Sequence, residues 1–267
     1  MKVFIAVDME GIGGLVQWDD AQLDLQRRLM TEEANAAVRG AFSGGAGEVL
    51  VGESHGNMRN LLPELLDSRA SFLSGQPKPA NHMAGVDGSF DLALFVGYHA
   101  RAGTLRGVMA HTFAGHVFSL AFNDVELGEI GADAALCGSY GVPVGLVTGD
   151  RAACEEAVSL LGNVKTVAVK EGVSRSAARC LPVGAVRKLV EETAADAVRH
   201  ASDFQAFALK GQVVVRVVFT NPSFADTLEH LDFVRRVDGR TIEVEGEDYL
   251  KAFERFSALH FLAPVVH

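Results

Sequence analysis

The 267-residue sequence predicts an α/β fold: a mainly parallel sheet covered by helices, followed by a smaller C-terminal α+β unit. Three observations carry this. Short β-branched runs alternate with helical patterns up to about residue 172. Those runs are apolar almost throughout, as strands buried on both faces must be. Beyond that point the texture changes to a long helical pattern, several half-polar strands and a last helix. The expected division is therefore residues 1–172, an α/β domain, and 173–267, a smaller α+β domain or lobe that shapes the pocket.

The elements follow in chain order. "KVFIAV" (2–7) reads as a buried strand. Over 21–43, Leu25, Leu29, Ala34, Val38 and Ala41 fall on one helical stripe, and Gly44–Gly45 stop it. "EVLVG" (48–52), "ASFLSG" (70–75) and "DLALFVG" (91–97) read as strands, and "VFSLAFND" (117–124) as a less regular one. A helix near 126–138, a strand 143–148, a helix 151–161 and a strand 164–169 complete the first part. In the second, a helix over 183–200 carries Val186, Leu189, Val190 and Ala197 on one side. Strands at 212–219, 231–237 and 241–246 and a helix near 247–259 follow.

Composition excludes several classes of partner. A net charge of −10 without a Lys/Arg block is no footprint for nucleic acid. No apolar run reaches the ~18 residues of a membrane helix. The start, "MKVFIAVDMEG", turns acidic too soon for a signal peptide. Cys137, Cys154 and Cys180 are odd in number and lack a C-x-x-C, which fits reduced thiols and a cytoplasmic location.

In open parallel sheets, ligands bind outside the carboxyl ends of the strands. Asp8 and Glu10 follow the first expected strand, His55 the second and His99 the strand 91–97, while His111 ends "VMAH" and Glu129 follows "VELG". Asp8 and Glu10 are two residues apart, so in extended backbone both side chains point the same way. Carboxylate oxygens with imidazole nitrogens suit Zn2+ or a neighbouring first-row metal. Five such ligands exceed a one-metal catalytic site and suit two metals bridged by a carboxylate. Gly11, Gly13 and Gly14 are expected to let the chain turn sharply there through positive φ or close approach. "GIGG" is no dinucleotide fingerprint, and no G-x-S-x-G surrounds Ser54.

Each of these residues has an ordinary reading when taken alone. Asp is common after strands, Glu10 could be solvated, and a lone His is more often structural than a ligand. His82 and His116 are left structural or substrate-facing, and His200, His230, His260 and His267 are expected at the surface. Arg175 in "SRSAAR" either meets a substrate carboxylate or simply follows a helix cap at Ser174 or Ser176. Met30 and Met58 read as packing.

Seven stretches together, "VDMEGIGG", "LMTEEAN", "ESHGNM", "GYHARAG", "GVMAH", "NDVELGEIG" and "SRSAARCL", resemble the binuclear-zinc D-aminopeptidase family of the dipeptide-operon type. The likeness runs in order over most of the chain and is strongest from 1 to about 180. It implies two Zn2+ per chain and release of N-terminal D-residues such as D-Ala from short peptides. It implies Asp8 as the bridging ligand, with Glu10, His55, His99 and Glu129 as the other ligands. His111 matches the residue that serves the family as nucleophile or acid/base, beside a metal-activated water. The likeness also implies a self-compartmentalised homo-oligomer, ring-like and as large as a decamer. One departure is Glu53, where the family pattern has Asp; it lies outside the ligand set. A related amidohydrolase, an L-specific aminopeptidase and a metal-stabilised binding protein remain the alternatives at this level.

Overall fold

Alternation along the first strand divides its side chains between two cores. Val3, Ile5 and Val7 pack with Met30, Val38, Val186 and Val190 on one face, while Phe4 and Ala6 join Phe95, Tyr98, Ile130 and Leu136 on the other. The structure, a computed structural model, describes residues 1–266. The chain runs β1 (Lys2–Val7), α1 (Leu23–Gly44), β2 (Glu48–Glu53), β3 (Ser71–Leu73), β4 (Leu92–Tyr98), β5 (Val117–Phe122) and β6 (Val125–Glu126). It continues through α2 (Glu129–Ser139), β7 (Val144–Asp150), α3 (Arg151–Leu161), β8 (Lys165–Ser174), β9 (Ala177–Cys180) and α4 (Val183–Arg199). Last come β10 (Val213–Phe219), α5 (Pro222–Leu228), β11 (Val234–Arg236), β12 (Thr241–Gly246) and α6 (Tyr249–Leu262).

The main sheet has seven strands in the order β3-β2-β1-β4-β7-β8-β9, all parallel except β9 at the edge. Its continuous apolar strands are explained by cover on both faces. From β1 the chain lays β2 and β3 on one side, then returns to place β4 on the other. That reversal leaves a crevice at the carboxyl ends of β1 and β4, where an open α/β sheet takes its ligand. Pairing of Val7 with both Glu53 and Val96 brings Asp8, Ser54 and Gly97 level at that edge.

A second sheet, antiparallel in the order β11-β12-β10-β5-β6, packs against α6, which in turn packs on α2. Here the structure departs from the expected division at 172. β5 pairs with β10, Leu120 beside Val217, so this sheet takes strands from both sides of the boundary. β9 and α4 lie beyond 172 yet belong to the main sheet and its helical layer. The physical reason is a shared core: Leu120, Phe122, Val215, Val217, Phe253 and Phe256 are continuous with Phe4 and Phe95.

Smaller differences have local causes. The stretch around Ser174 and Ser176 turns a hairpin, with Lys170 opposite Cys180, instead of capping a helix. α5 was not foreseen, although Asn221 accepts from the Ser223 amide and Pro222 opens the helix, both standard start signals. His267 lies outside the described residues.

Candidate metal centre and active site

Asp8 and Glu10 leave β1 into a turn, not an extended strand. The Ile12 amide donates to the Met9 carbonyl at 3.1 Å, and the Gly11 amide to the Gly97 carbonyl at 2.7 Å. The expected same-side projection from extended backbone is therefore replaced by a turn packed on the end of β4. Gly11 permits that contact, since a Cβ there would lie 1.9 Å from the Tyr98 carbonyl oxygen. Among the three glycines of this turn only Gly14 has positive φ, at +88°.

A buried cation fixes the same turn from below. The Lys170 ammonium donates to the carbonyls of Glu10, Ile12 and Leu15 at 2.5, 2.9 and 2.6 Å. Glu33 accepts from the Gly13 amide at 3.0 Å and from the Thr148 hydroxyl at 3.3 Å. Burial pushes Lys170 down to about 8, against the pull of Glu33. Burial likewise pushes Glu33 up to about 7, with the Gly13 amide and Lys170 acting against it.

The other candidates arrive from three directions. His55 follows β2, with Glu53 accepting the Asn60 and Leu61 amides at 2.7 and 2.8 Å to hold its loop. His99 follows β4. Glu129 is the first residue of α2, where the helix dipole favours a carboxylate, and it accepts the Phe113 amide at 2.6 Å. His111 comes from the long loop after β4 and stacks on His99 at 4.1 Å between ring centroids.

All six side chains predicted from the sequence meet. His55 Nδ1 lies 2.7 Å from Glu10 Oε2 and 3.4 Å from Asp8 Oδ1. His99 Nε2 lies 3.5 Å from Asp8 Oδ2 and 3.3 Å from Glu129 Oε1. His111 Nε2 lies 3.6 Å from Glu129 Oε1 and 3.9 Å from Glu10 Oε1. Ligand atoms of Asp8, Glu10 and His99 all fall within 4.8 Å of one another, as do those of His99, His111 and Glu129.

The donor set fits cations. His99 and His111 each donate Nδ1–H to a backbone carbonyl, Ala100 at 3.0 Å and Met109 at 2.9 Å. A carbonyl only accepts, so both neutral rings turn an Nε2 lone pair toward carboxylates. His99 Nε2 and Asp8 Oδ2 are buried and have no hydrogen-bond partner. Facing lone pairs in a buried site need a positive charge between them.

The titration shifts express the same need. Burial and the Glu10 charge push Asp8 up to about 7. Burial favours the neutral His55 ring, but the Glu10 and Asp8 carboxylates outweigh it and push His55 up to about 10. His99 is likewise raised well above its ordinary value, against burial, by Glu129 and Asp8. Metal ions replace protons on such groups. Burial, then the neighbouring His99, holds His111 below its ordinary value.

A cleft of about 250 Å³ opens onto this cluster. Among the described residues that line it, none is Lys or Arg. His82, left structural or substrate-facing by the sequence, lines the cleft, while His260 and Trp18 were not placed there. His82 lies 3.1 Å from Asp133, which also accepts the Tyr98 hydroxyl at 2.8 Å; Asp133 stands one helical turn after Glu129, so that spacing was readable. His260 was expected at the surface but stacks on His116 and lines the cleft, because α6 folds over it. Trp18 donates Nε1–H to Glu10 Oε1 at 2.8 Å, a contact no motif signals. Arg175 does not line the cleft, but its guanidinium lies 5.5 Å from the Trp18 ring.

An open α/β sheet with an Asp/Glu/His cluster at its switch point defines the class of a metal-dependent hydrolase. Residues 1–258 match the peptidase family described as D-aminopeptidase, and the chain belongs to that family. It is 38% identical over 271 residues to a D-aminopeptidase of Bacillus subtilis (strain 168), covering 98% of each chain. It also matches a solved structure described as Zn-dependent D-aminopeptidase DppA from Bacillus subtilis, a self-compartmentalizing protease. That match has a TM-score of 0.94 and 38% identity and covers 98% of both chains.

Proposed function

We propose that this protein is a zinc-dependent aminopeptidase that hydrolyses the N-terminal peptide or amide bond of short peptides, with a D-residue such as D-Ala at the amino end. The observation that carries it is the pair of overlapping triads on His99, with unpartnered Asp8 Oδ2 and His99 Nε2 between them. Membership of the D-aminopeptidase family and the likeness to a Zn-dependent relative support the metal and the substrate.

Asp8, Glu10, His55, His99 and Glu129 would hold the two proposed Zn2+, with Asp8 standing between His55 and His99. When bound, the ions supply Lewis acidity, which acidifies a water nucleophile and polarises the scissile carbonyl. The chain's own residues do the rest. Among the described residues the cleft presents no Lys or Arg, so the substrate's free amino group meets no side-chain cation there. His111 keeps Nδ1–H on the Met109 carbonyl, so Nε2 is the atom that takes a proton from the attacking water and returns it to the leaving amine. Direct attack by His111 on the carbonyl is the second form of this step. Phe113, held by its amide on Glu129, lines the cleft and keeps bulk water from the reacting groups.

The relative's self-compartmentalizing description supports a homo-oligomer here, with a ring-like decamer as the proposed form. Leu105 and Val173, 86% and 70% exposed, are apolar side chains that assembly would cover. Among the described residues no helix is long and apolar enough to cross a membrane, and the three free cysteines support the proposed cytoplasmic setting. The test is a panel of D- and L-aminoacyl dipeptides and amides. Release of D-Ala, faster than of L-Ala, supports the proposal; turnover of L-substrates alone overturns the D-specificity.

A further inference from the structure

Trp18 is the chain's only tryptophan. It sits at the rim of the cleft with 47% of its surface exposed, yet its one polar atom points inward. The indole N–H donates to Glu10 Oε1 at 2.8 Å, while Glu10 Oε2 meets His55 Nδ1 at 2.7 Å. Each oxygen of that carboxylate therefore has its own partner, and together the two fix the carboxylate plane. The indole also meets the His111 ring edge-on, at 5.7 Å and 73°.

The indole is itself held. The Arg175 guanidinium lies 5.5 Å from its ring, and the Arg175 carbonyl accepts the Met109 amide at 2.8 Å. The Met109 carbonyl in turn accepts His111 Nδ1–H at 2.9 Å. Trp18, Arg175, Met109 and His111 thus close a ring of contacts, of which Trp18 and His111 line the cleft. Three segments supply it: the hairpin between β8 and β9, the stretch after β1 and the loop after β4.

We propose that Trp18 is a positioning residue for Glu10 and, through its exposed ring, the wall against which the substrate packs beside His111. This rests on the zinc aminopeptidase reading of the same site. The N–H and the ring have separable effects. An outer partner of a ligating carboxylate sets its orientation, and losing one typically weakens metal binding ~10–100-fold. An aromatic wall acts on substrate through buried apolar area, worth about tenfold or more in KM.

The test uses Zn2+ alone, titrated into the metal-free full chain against a chromophoric chelator, with the emission of the single tryptophan followed in parallel. In the wild type the emission shifts as zinc fills, because Glu10 is the indole's acceptor. Trp18→Phe keeps the ring and loses the N–H, so its zinc affinity falls ~10–100-fold while KM at saturating zinc stays within about twofold. Trp18→Ala loses both, and KM rises about tenfold or more as well. Unchanged zinc affinity in Trp18→Phe, or emission indifferent to zinc in a wild type that binds it, overturns this inference and leaves the metal centre standing. A wild type that takes up no zinc overturns the metal centre, and this inference with it. Circular dichroism shows that the variants are folded, since a half-exposed side chain is not a core support.

Discussion

Asp8 Oδ2 and His99 Nε2 stand 3.5 Å apart in the protein interior, and neither has a hydrogen-bond partner. In the metal-free chain only a proton can relieve this conflict, which is why His99 is raised well above its ordinary value against burial, and holding that charge in the interior costs stability. Asp8→Asn removes the conflict: its amide N–H₂ donates to His99 Nε2, and its oxygen still accepts from His55. The metal-free variant is therefore expected to melt above the metal-free wild type, while zinc content falls. Calorimetry with elemental analysis checks both. A variant that melts lower and keeps its zinc contradicts the assignment of the bridge.

His111 faces Glu129 and Glu10 at 3.6 and 3.9 Å, farther than the contacts made by His55 and His99 to their nearest carboxylates. Its proposed role is that of a proton carrier outside the ligand set, which predicts that it can be removed without loss of metal. His111→Ala is expected to keep its zinc and to lose activity by ~10²–10⁴-fold. Loss of zinc in this variant would make His111 a ligand instead, since its Nε2 also falls in a triad with His99 and Glu129.

How far the sequence reached is explained by range. Asp8, Glu10, His55 and His99 were legible because each follows a strand of a parallel sheet, and chain order fixes which edge that is. The pairing of β5 with β10 was not legible, because nothing local in 117–122 states a partner almost a hundred residues away. Lys170 was missed for the same reason, and Trp18 and Glu33 because no turn or helix spacing signals partners 8 and 20 residues away. Their contacts to Glu10, Leu15 and Gly13 depend on tertiary approach, and an isolated Lys or Glu in a half-apolar run reads as surface. His260 was assigned to the surface because α6 gives no sign in its own sequence of the cleft it covers.

Lys170 is the buried clamp of the ligand turn, and its three N–H groups serve three carbonyls. Lys170→Met leaves those carbonyls and Glu33 without it. Breaking one partner of such a buried network costs about 3–5 kcal/mol. Urea denaturation is expected to show a loss of that order. Zinc affinity should drop too, because Glu10 rides on the released turn. Stability within about 0.5 kcal/mol of wild type, the range of an ordinary surface change, contradicts the clamp.

Glu33 gives a pH dependence whose sign follows from its shift. Burial raises it from its ordinary 4.5 to about 7. Between those values the unfolded chain has lost a proton that the folded chain still holds, so this group's contribution to stability falls as pH rises through the window. Glu33→Gln does not titrate. The stability difference, variant minus wild type, is expected to grow from pH 4.5 to pH 7 by up to about 3 kcal/mol and then level off. Unfolding curves for both proteins across that range read it directly; a difference that is flat in pH contradicts it.

Hydrolysis is proposed to require two zinc ions held by the cluster at the β1–β4 crevice. Zinc titration into metal-free protein, with bound metal and hydrolysis of a D-alanyl dipeptide measured in each sample, tests it most directly. The expected result is no turnover without metal and full turnover only as bound zinc approaches two per chain. Full turnover by the metal-free protein would contradict it.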